Sequence, residues 1–132
     1  MSVGSTGKVR VIDSAGECPE LPIVVGPGSA KAVIWPGNGA KWRSFNIVDL
    51  ECGSRTVDLQ HPSDCVYYVD RGAGIISDLS NGETVVLEEG TMLHIDKGDR
   101  YRIEATAGDG LLLIGGPCPA DQSLYADIKE VV

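Results

Sequence analysis

The sequence predicts a single all-β domain, a sandwich or small barrel, on three observations. Its 132 residues and 13.9 kDa are enough for one core and too few for two ordinary ones. Short apolar runs recur along the chain with glycines between them, 17 in all, the punctuation of short strands and tight turns. No stretch keeps a helical period between caps, so a parallel sheet with crossover helices is not supported.

In chain order, KVRVID (8–13), LPIVV (21–25) and SAKAVIW (29–35) read as strands before the break at Pro36-Gly37-Asn38. KWRSFNIVDL (41–50) is mostly extended, RTVDLQH (55–61) alternates, and CVYYVD (65–70) is rich in β-formers. AGIISDL (73–79) runs into Asn81-Gly82, a strong hairpin signal. ETVVLE (83–88), TMLHID (91–96), RYRIEA (100–105) and LLLIGG (111–116) continue the pattern. Only the tail, PADQSLYADIKEV, suits a short helix.

A formal charge of -8, from 11 basic and 19 acidic residues, excludes the positive surface that nucleic acids and anionic membranes require. No apolar segment has the length of a signal core or a transmembrane helix, so a soluble, cytoplasmic protein is expected. Cys18, Cys52, Cys65 and Cys118 form no C-x-x-C pair, which argues against a zinc knuckle and for reduced thiols, with one disulfide left open.

Two segments are anchored by regularly spaced glycines. In the first, Gly53 is followed by five residues, then Leu59, Gln60, His61, three residues, Cys65, six residues and Gly72. In the second, Gly90 is followed by five residues, then Asp96, Lys97, Gly98, two residues, Tyr101, three residues and Ala105. This spacing, with residues 73–89 between the two segments, resembles the paired motifs of the cupin superfamily.

The resemblance implies a cupin-type double-stranded β-helix, a jelly-roll barrel, with its core in 41–120. Residues 1–40 would supply N-terminal strands packed on the barrel or exchanged with a partner, and 121–132 a C-terminal tail. It also implies a homodimer. The usual metal ligands fall on Leu59, His61, Cys65 and Tyr101, and three of the four are substituted. Leucine cannot ligate a metal, so the usual site is expected to be broken and no cofactor is expected. Zinc or iron held by His61, His94 and Cys65 stays open as an alternative.

Strand alternation points His61, Leu59 and Val57 inward with Arg55, and likewise Cys65, Tyr67 and Val69. Counted the same way, Met92, His94 and Asp96 share a face. The expected interior therefore combines His61, His94, Cys65 and Tyr101 as candidate catalytic groups with Arg55, Tyr67, Leu59 and Met92 as substrate contacts. A histidine near neutrality and a tyrosine suit proton transfer during isomerisation, elimination or cyclisation of a carbonyl compound without a metal.

Each group also has a purely structural use. His61 and His94 can be hydrogen-bonded packing residues, Cys65 a small buried hydrophobe, and Tyr101 a barrel filler. Tyr68 is expected to face outward, and Trp35 and Trp42 to sit near the barrel mouth. The expected function is thus a small-molecule cupin enzyme of isomerase, lyase or cyclase type. A non-catalytic binding or sensing cupin and an atypical metalloenzyme are the alternatives.

Overall fold

A computed structural model describes residues 9–16, 18–40 and 42–126. Nine strands form a nearly closed antiparallel barrel: β1 (Val24–Val25), β2 (Gly28–Ile34), β3 (Phe45–Leu50), β4 (Arg55–Thr56), β5 (Cys65–Asp78), β6 (Thr84–Glu88), β7 (Met92–Ile95), β8 (Tyr101–Ala105) and β9 (Leu111–Pro117). The strand order is β1-β4-β8-β5-β9-β3-β2, with β6 and β7 both pairing with β5. The fold is the expected double-stranded β-helix.

The two predicted strands 65–70 and 73–79 are one 14-residue strand that serves both sheets. Its first half pairs with β7 and β9, its second with β6 and β8. The register slips between Val69 and Arg71, so the inward parity changes from odd (Cys65, Tyr67, Val69) to even (Gly74, Ile76). The bulge lets one strand turn the corner from sheet to sheet.

All four motif glycines have positive φ, from 85° at Gly98 to 88° at Gly53 and Gly90. A residue with a Cβ is strained there, which is why the glycine frame persists while the residues between have changed. At Gly72 a Cβ would also collide with the Gly110 carbonyl of the neighbouring strand.

The core is drawn from the inward faces of both sheets, including Val48, Leu50, Val69, Ile103, Leu111 and Leu113. β1 and β2 pair with β4 and β3 of their own chain. The outer edge of β2 is covered by residues 19–21, which bond to Ala30 and Ala32. The strand expected at 8–13 is absent over 9–13; Lys8 lies outside the described residues. The expected strand 55–61 shortens to Arg55–Thr56 plus an isolated bridge from Leu59 to Tyr101. Of the expected C-terminal helix, Gln122–Tyr125 forms a 3-10 turn, and residues beyond 126 lie outside the described part. All four cysteines are unpaired. Among the described residues no helix is long and apolar enough to cross a membrane.

Candidate functional site: a buried proton relay at one end of the barrel

Strand register brings the candidate residues to one end of the barrel. The start of β5 lies between the ends of β7 and β9, through the Cys65–Ile95 and Cys65–Pro117 pairs. The Leu59–Tyr101 bridge fixes the start of β8 beside the segment carrying His61. After β9, residues 118–126 run across this end as a strap. Cys118 N–H donates to the Asp64 carbonyl, Ala120 N–H to that of Trp42, and the Ser63 hydroxyl to that of Pro119.

The strap delivers Asp121 into the barrel. His61 Nδ1 and Asp121 Oδ2 are 2.8 Å apart, and His61 Nε2 and the Tyr101 hydroxyl 2.6 Å. An ionised carboxylate only accepts, so His61 carries its proton on Nδ1 and Nε2 accepts from Tyr101 O–H. The Tyr101 oxygen in turn faces the Tyr67 hydroxyl at 3.1 Å and Cys65 Sγ at 3.8 Å. The result is a directional chain from Cys65 and Tyr67 through Tyr101 and His61 to Asp121, its side chains almost entirely shielded: His61 is 3% exposed and Tyr101 2%.

The charge states follow from burial and partners. Burial drives the Tyr67 and Tyr101 hydroxyls well above the usual tyrosine pKa, with the neighbouring Cys65 and tyrosine groups adding to it. Both are neutral donors near neutral pH. Burial pushes the Cys65 thiol up to about 12, against the hydrogen bonds of Tyr101 and Tyr67. Burial also acts to raise Asp121, but hydrogen bonds from His61 and Ser123 outweigh it and hold the carboxyl below its ordinary value. Its second oxygen, Oδ1, accepts from Ser123 N–H at 3.0 Å and the Ser123 hydroxyl at 2.7 Å, capping the 3-10 turn.

A buried thiol of that pKa is not a ready nucleophile. Native protein treated with iodoacetamide at pH 8 should therefore be alkylated at the exposed Cys52 and Cys118 and not at Cys65. Peptide mapping showing rapid Cys65 alkylation would contradict this.

Leu59, His61, Cys65, Tyr67 and Tyr101 all face inward as expected. Three other expectations are corrected. His94 and Met92 lie on the outer face, Met92 at 67% exposure, because β7 pairs Ile95 with the inward Cys65 and Leu93 with the inward Tyr67. Directly opposed residues share a face, and burying Leu93 and Ile95 is the more favourable choice. Arg55 does not share the His61 face: the neighbouring Thr56 points inward, and the chain steps irregularly through Val57 and Asp58 before Leu59 and His61 resume. Its guanidinium instead bonds to the Thr56 carbonyl.

Sequence reasoning missed Asp121. Its one local signal was Asp-x-Ser at the start of the tail helix, which marks a cap but not the direction of the second carboxylate oxygen. Tyr125 was also missed; it packs under Trp35 with ring centroids 5.0 Å apart, placing Trp35 over this end of the barrel as expected. Trp42 and Tyr68 are exposed, Tyr68 on the outer sheet face.

Tyr101 alone among the relay residues also lines a cleft of about 180 Å³. Ile76 and Val85 line it from the β5–β6 hairpin and Ile95 from β7, with Asp78, Glu83, Asp99, Arg100 and His94 around them. Ile76 and Val85 share the inward parity of Ile103, yet Val85 is 61% exposed. The barrel is therefore open between the hairpin and β7.

The metal common in this fold does not fit these residues. Leu59 offers no ligand atom, both His61 nitrogens are engaged by Asp121 and Tyr101, and the Cys65 thiol is held protonated. His94 is too far outside to join His61 and Cys65, so the His61/His94/Cys65 alternative has no common site. On the outer surface Asp64, His94 and Asp96 do bring ligand atoms within 4.8 Å of one another, all three exposed.

Comparison with solved structures places this architecture. The chain has the cupin fold. An RmlC-like cupin family protein with a double-stranded β-helix from Methanocaldococcus jannaschii superposes with a TM-score of 0.70 at 12% identity, covering 91% of this chain and 99% of that one. A predicted oxalate decarboxylase from Thermotoga maritima gives 0.69 at 23% identity, covering 83% and 99%. The polyketide cyclase RemF from Streptomyces resistomycificus gives 0.66 at 14%, covering 94% and 86%. No family model and no curated protein sequence matches the chain.

Proposed function

We propose that the protein is a small-molecule enzyme that works by metal-independent acid–base catalysis through Tyr101 and His61. The observation that carries this reading is the Asp121–His61–Tyr101 chain, with contacts of 2.8 and 2.6 Å inside a water-excluding barrel. A proton leaving a substrate carbon next to a carbonyl passes to the Tyr101 oxygen as the Tyr101 proton passes to His61 Nε2. Asp121 stabilises the resulting imidazolium. The electron pair stays on the substrate as an enolate, whose oxygen the neutral Tyr67 and Cys65 donors are suited to stabilise. Return of the proton to another carbon gives isomerisation, loss of a leaving group gives elimination, and attack on a second carbonyl gives cyclisation. The open cleft beside Tyr101 supports access from solvent. A cyclase among the structural neighbours shows that the fold hosts such an activity elsewhere.

The test is turnover by a His61 variant that keeps the fold, set out in the Discussion. The burial of Tyr101 and Tyr67 favours a second reading, a non-catalytic ligand-binding or sensing cupin. Ligand binding without turnover by wild-type protein would support that reading instead.

We further propose that a second copy of the chain covers the outer face of the larger sheet. Register aligns Lys31, Ile47, Ile114, Tyr68 and Met92 in one row across β2, β3, β9, β5 and β7, flanked by the exposed Ile34, Phe45 and Val66. So wide an exposed apolar band is unusual for a monomer. A twofold axis along β9 sets the Lys31 edge of one copy against the Asp64–His94–Asp96 edge of the other, a complementary pairing for a chain of net charge -8. Light scattering should show a wild-type dimer and a folded Tyr68→Glu monomer; a wild-type monomer at tens of micromolar would refute the interface.

A further inference from the structure

On the inner face of the larger sheet, register sets Asn46 of β3, Gly115 of β9, Tyr67 of β5 and Leu93 of β7 in one cross-strand row. Gly115 has no side chain, so β9 puts nothing between Asn46 and Tyr67, whose strands lie about 10 Å apart. The polar groups at the two ends of this row are in different states.

At the Tyr67 end the hydroxyls and the thiol are joined in the relay. At the other end Asn46 Oδ1 and the Tyr125 hydroxyl are buried with no hydrogen-bond partner, Asn46 at 1% exposure and Tyr125 at 8%. Ser44 cannot relieve them with its own proton, which goes to the Pro117 carbonyl at 2.6 Å. Gly116 is cut back to admit these side chains: a Cβ there would stand 2.9 Å from both Asn46 Nδ2 and Ser44 Oγ. A buried acceptor without a donor destabilises the folded chain, and an apolar residue would fill the position without that penalty. A polar partner missing from the free chain accounts for its presence.

The surroundings restrict that partner. Among the described residues the buried polar and charged side chains are Ser44, Asn46, Ser54, Thr56, His61, Ser63 and Asp121, with no lysine or arginine to neutralise a carboxylate or phosphate. The carboxylate of Asp121 is committed to His61 and Ser123.

We infer that Asn46 and Tyr125 are the second polar anchor of the substrate, and that the substrate is an uncharged hydroxylated carbonyl compound. Its hydroxyl donates to Asn46 Oδ1, and the Tyr125 hydroxyl donates to an oxygen of the same end. Its carbonyl end lies over Gly115 against Tyr67 and Tyr101. The assignment of the carbonyl end rests on the acid–base reading above.

Ligand-observed NMR titrations with acetoin, butan-2-one and lactate test the anchor on wild-type protein and Asn46→Leu. Wild type should bind acetoin about fivefold or more tightly than butan-2-one, and lactate no better than butan-2-one. Asn46→Leu should lose the preference and unfold at the same or a higher temperature, because it removes the unpartnered acceptor. The anchor is overturned if acetoin and butan-2-one bind alike or not at all, if lactate binds best, or if Asn46→Leu keeps the preference. A fall in Tm of more than about 5 °C would make Asn46 a structural residue and overturn it as well. His61→Asn should keep the acetoin preference, so failure of the acid–base reading leaves this result standing and is distinguished from failure of the anchor.

Discussion

Replacing His61 by asparagine is expected to lower turnover by about 10²- to 10⁴-fold while the protein stays folded, the usual contribution of a positioned acid–base group. Asparagine can place an N–H near the position of Nδ1 and so keep the bond to Asp121, but it offers no basic nitrogen to Tyr101. Alanine is a poorer test. It would leave Asp121 buried without its main partner, so a loss of activity could come from a loss of structure. Tyr101→Phe should cost a similar factor, and the double variant little more, because the two residues act as one unit. The readout is kcat with any turned-over substrate, alongside circular dichroism to confirm the fold. Unchanged kcat in His61→Asn would remove His61 from the mechanism.

Replacing Asp121 by leucine is expected to have the largest effect on stability, about 3 kcal/mol, because it strands the His61 Nδ1–H and the Ser123 donors in the interior. For a domain of this size that is a fall in Tm on the order of 10 °C. Acid titration supplies a second measurement, with Asp121→Asn as the comparison. The folded-state pKa of Asp121 lies below its ordinary 3.8, so its contribution is fully present above the unfolded value. That contribution is lost as pH falls from about 4 through the lower folded value. Chemical denaturation between pH 7 and pH 2 should show wild type losing more stability below pH 4 than Asp121→Asn loses. Parallel curves would mean that the carboxylate is not held ionised by His61 and Ser123.

Most of the fold is legible in the residues because local rules decide it. Glycines at 53, 72, 90 and 98 stand where the backbone needs positive φ, and Asn81-Gly82 marks a hairpin that forms as expected between β5 and β6. The inward set of Leu59, His61, Cys65, Tyr67 and Tyr101 follows from two-residue alternation within each short run. Alternation fails where its phase is set from outside the run. In β7, Met92-Leu93-His94-Ile95 can present either pair inward, and pairing with β5 selects Leu93 and Ile95. In β4 the break after Thr56 removes Arg55 from the His61 face, and in β5 a bulge reverses the inward parity.

The relay divides in the same way. His61, Tyr101, Cys65 and Tyr67 are found from motif position and strand parity, both properties of nearby sequence. Asp121 is 60 residues from His61, and Asn46 and Tyr125 are 79 apart. No local pattern relates either pair. The sequence by itself determined an all-β barrel, its turns and one wall of its polar interior, because glycine conformation and alternation act over a few residues. Only the tertiary structure decided that the C-terminal strap would close that wall with a carboxylate, since the contact depends on how nine strands pair and where the last one ends.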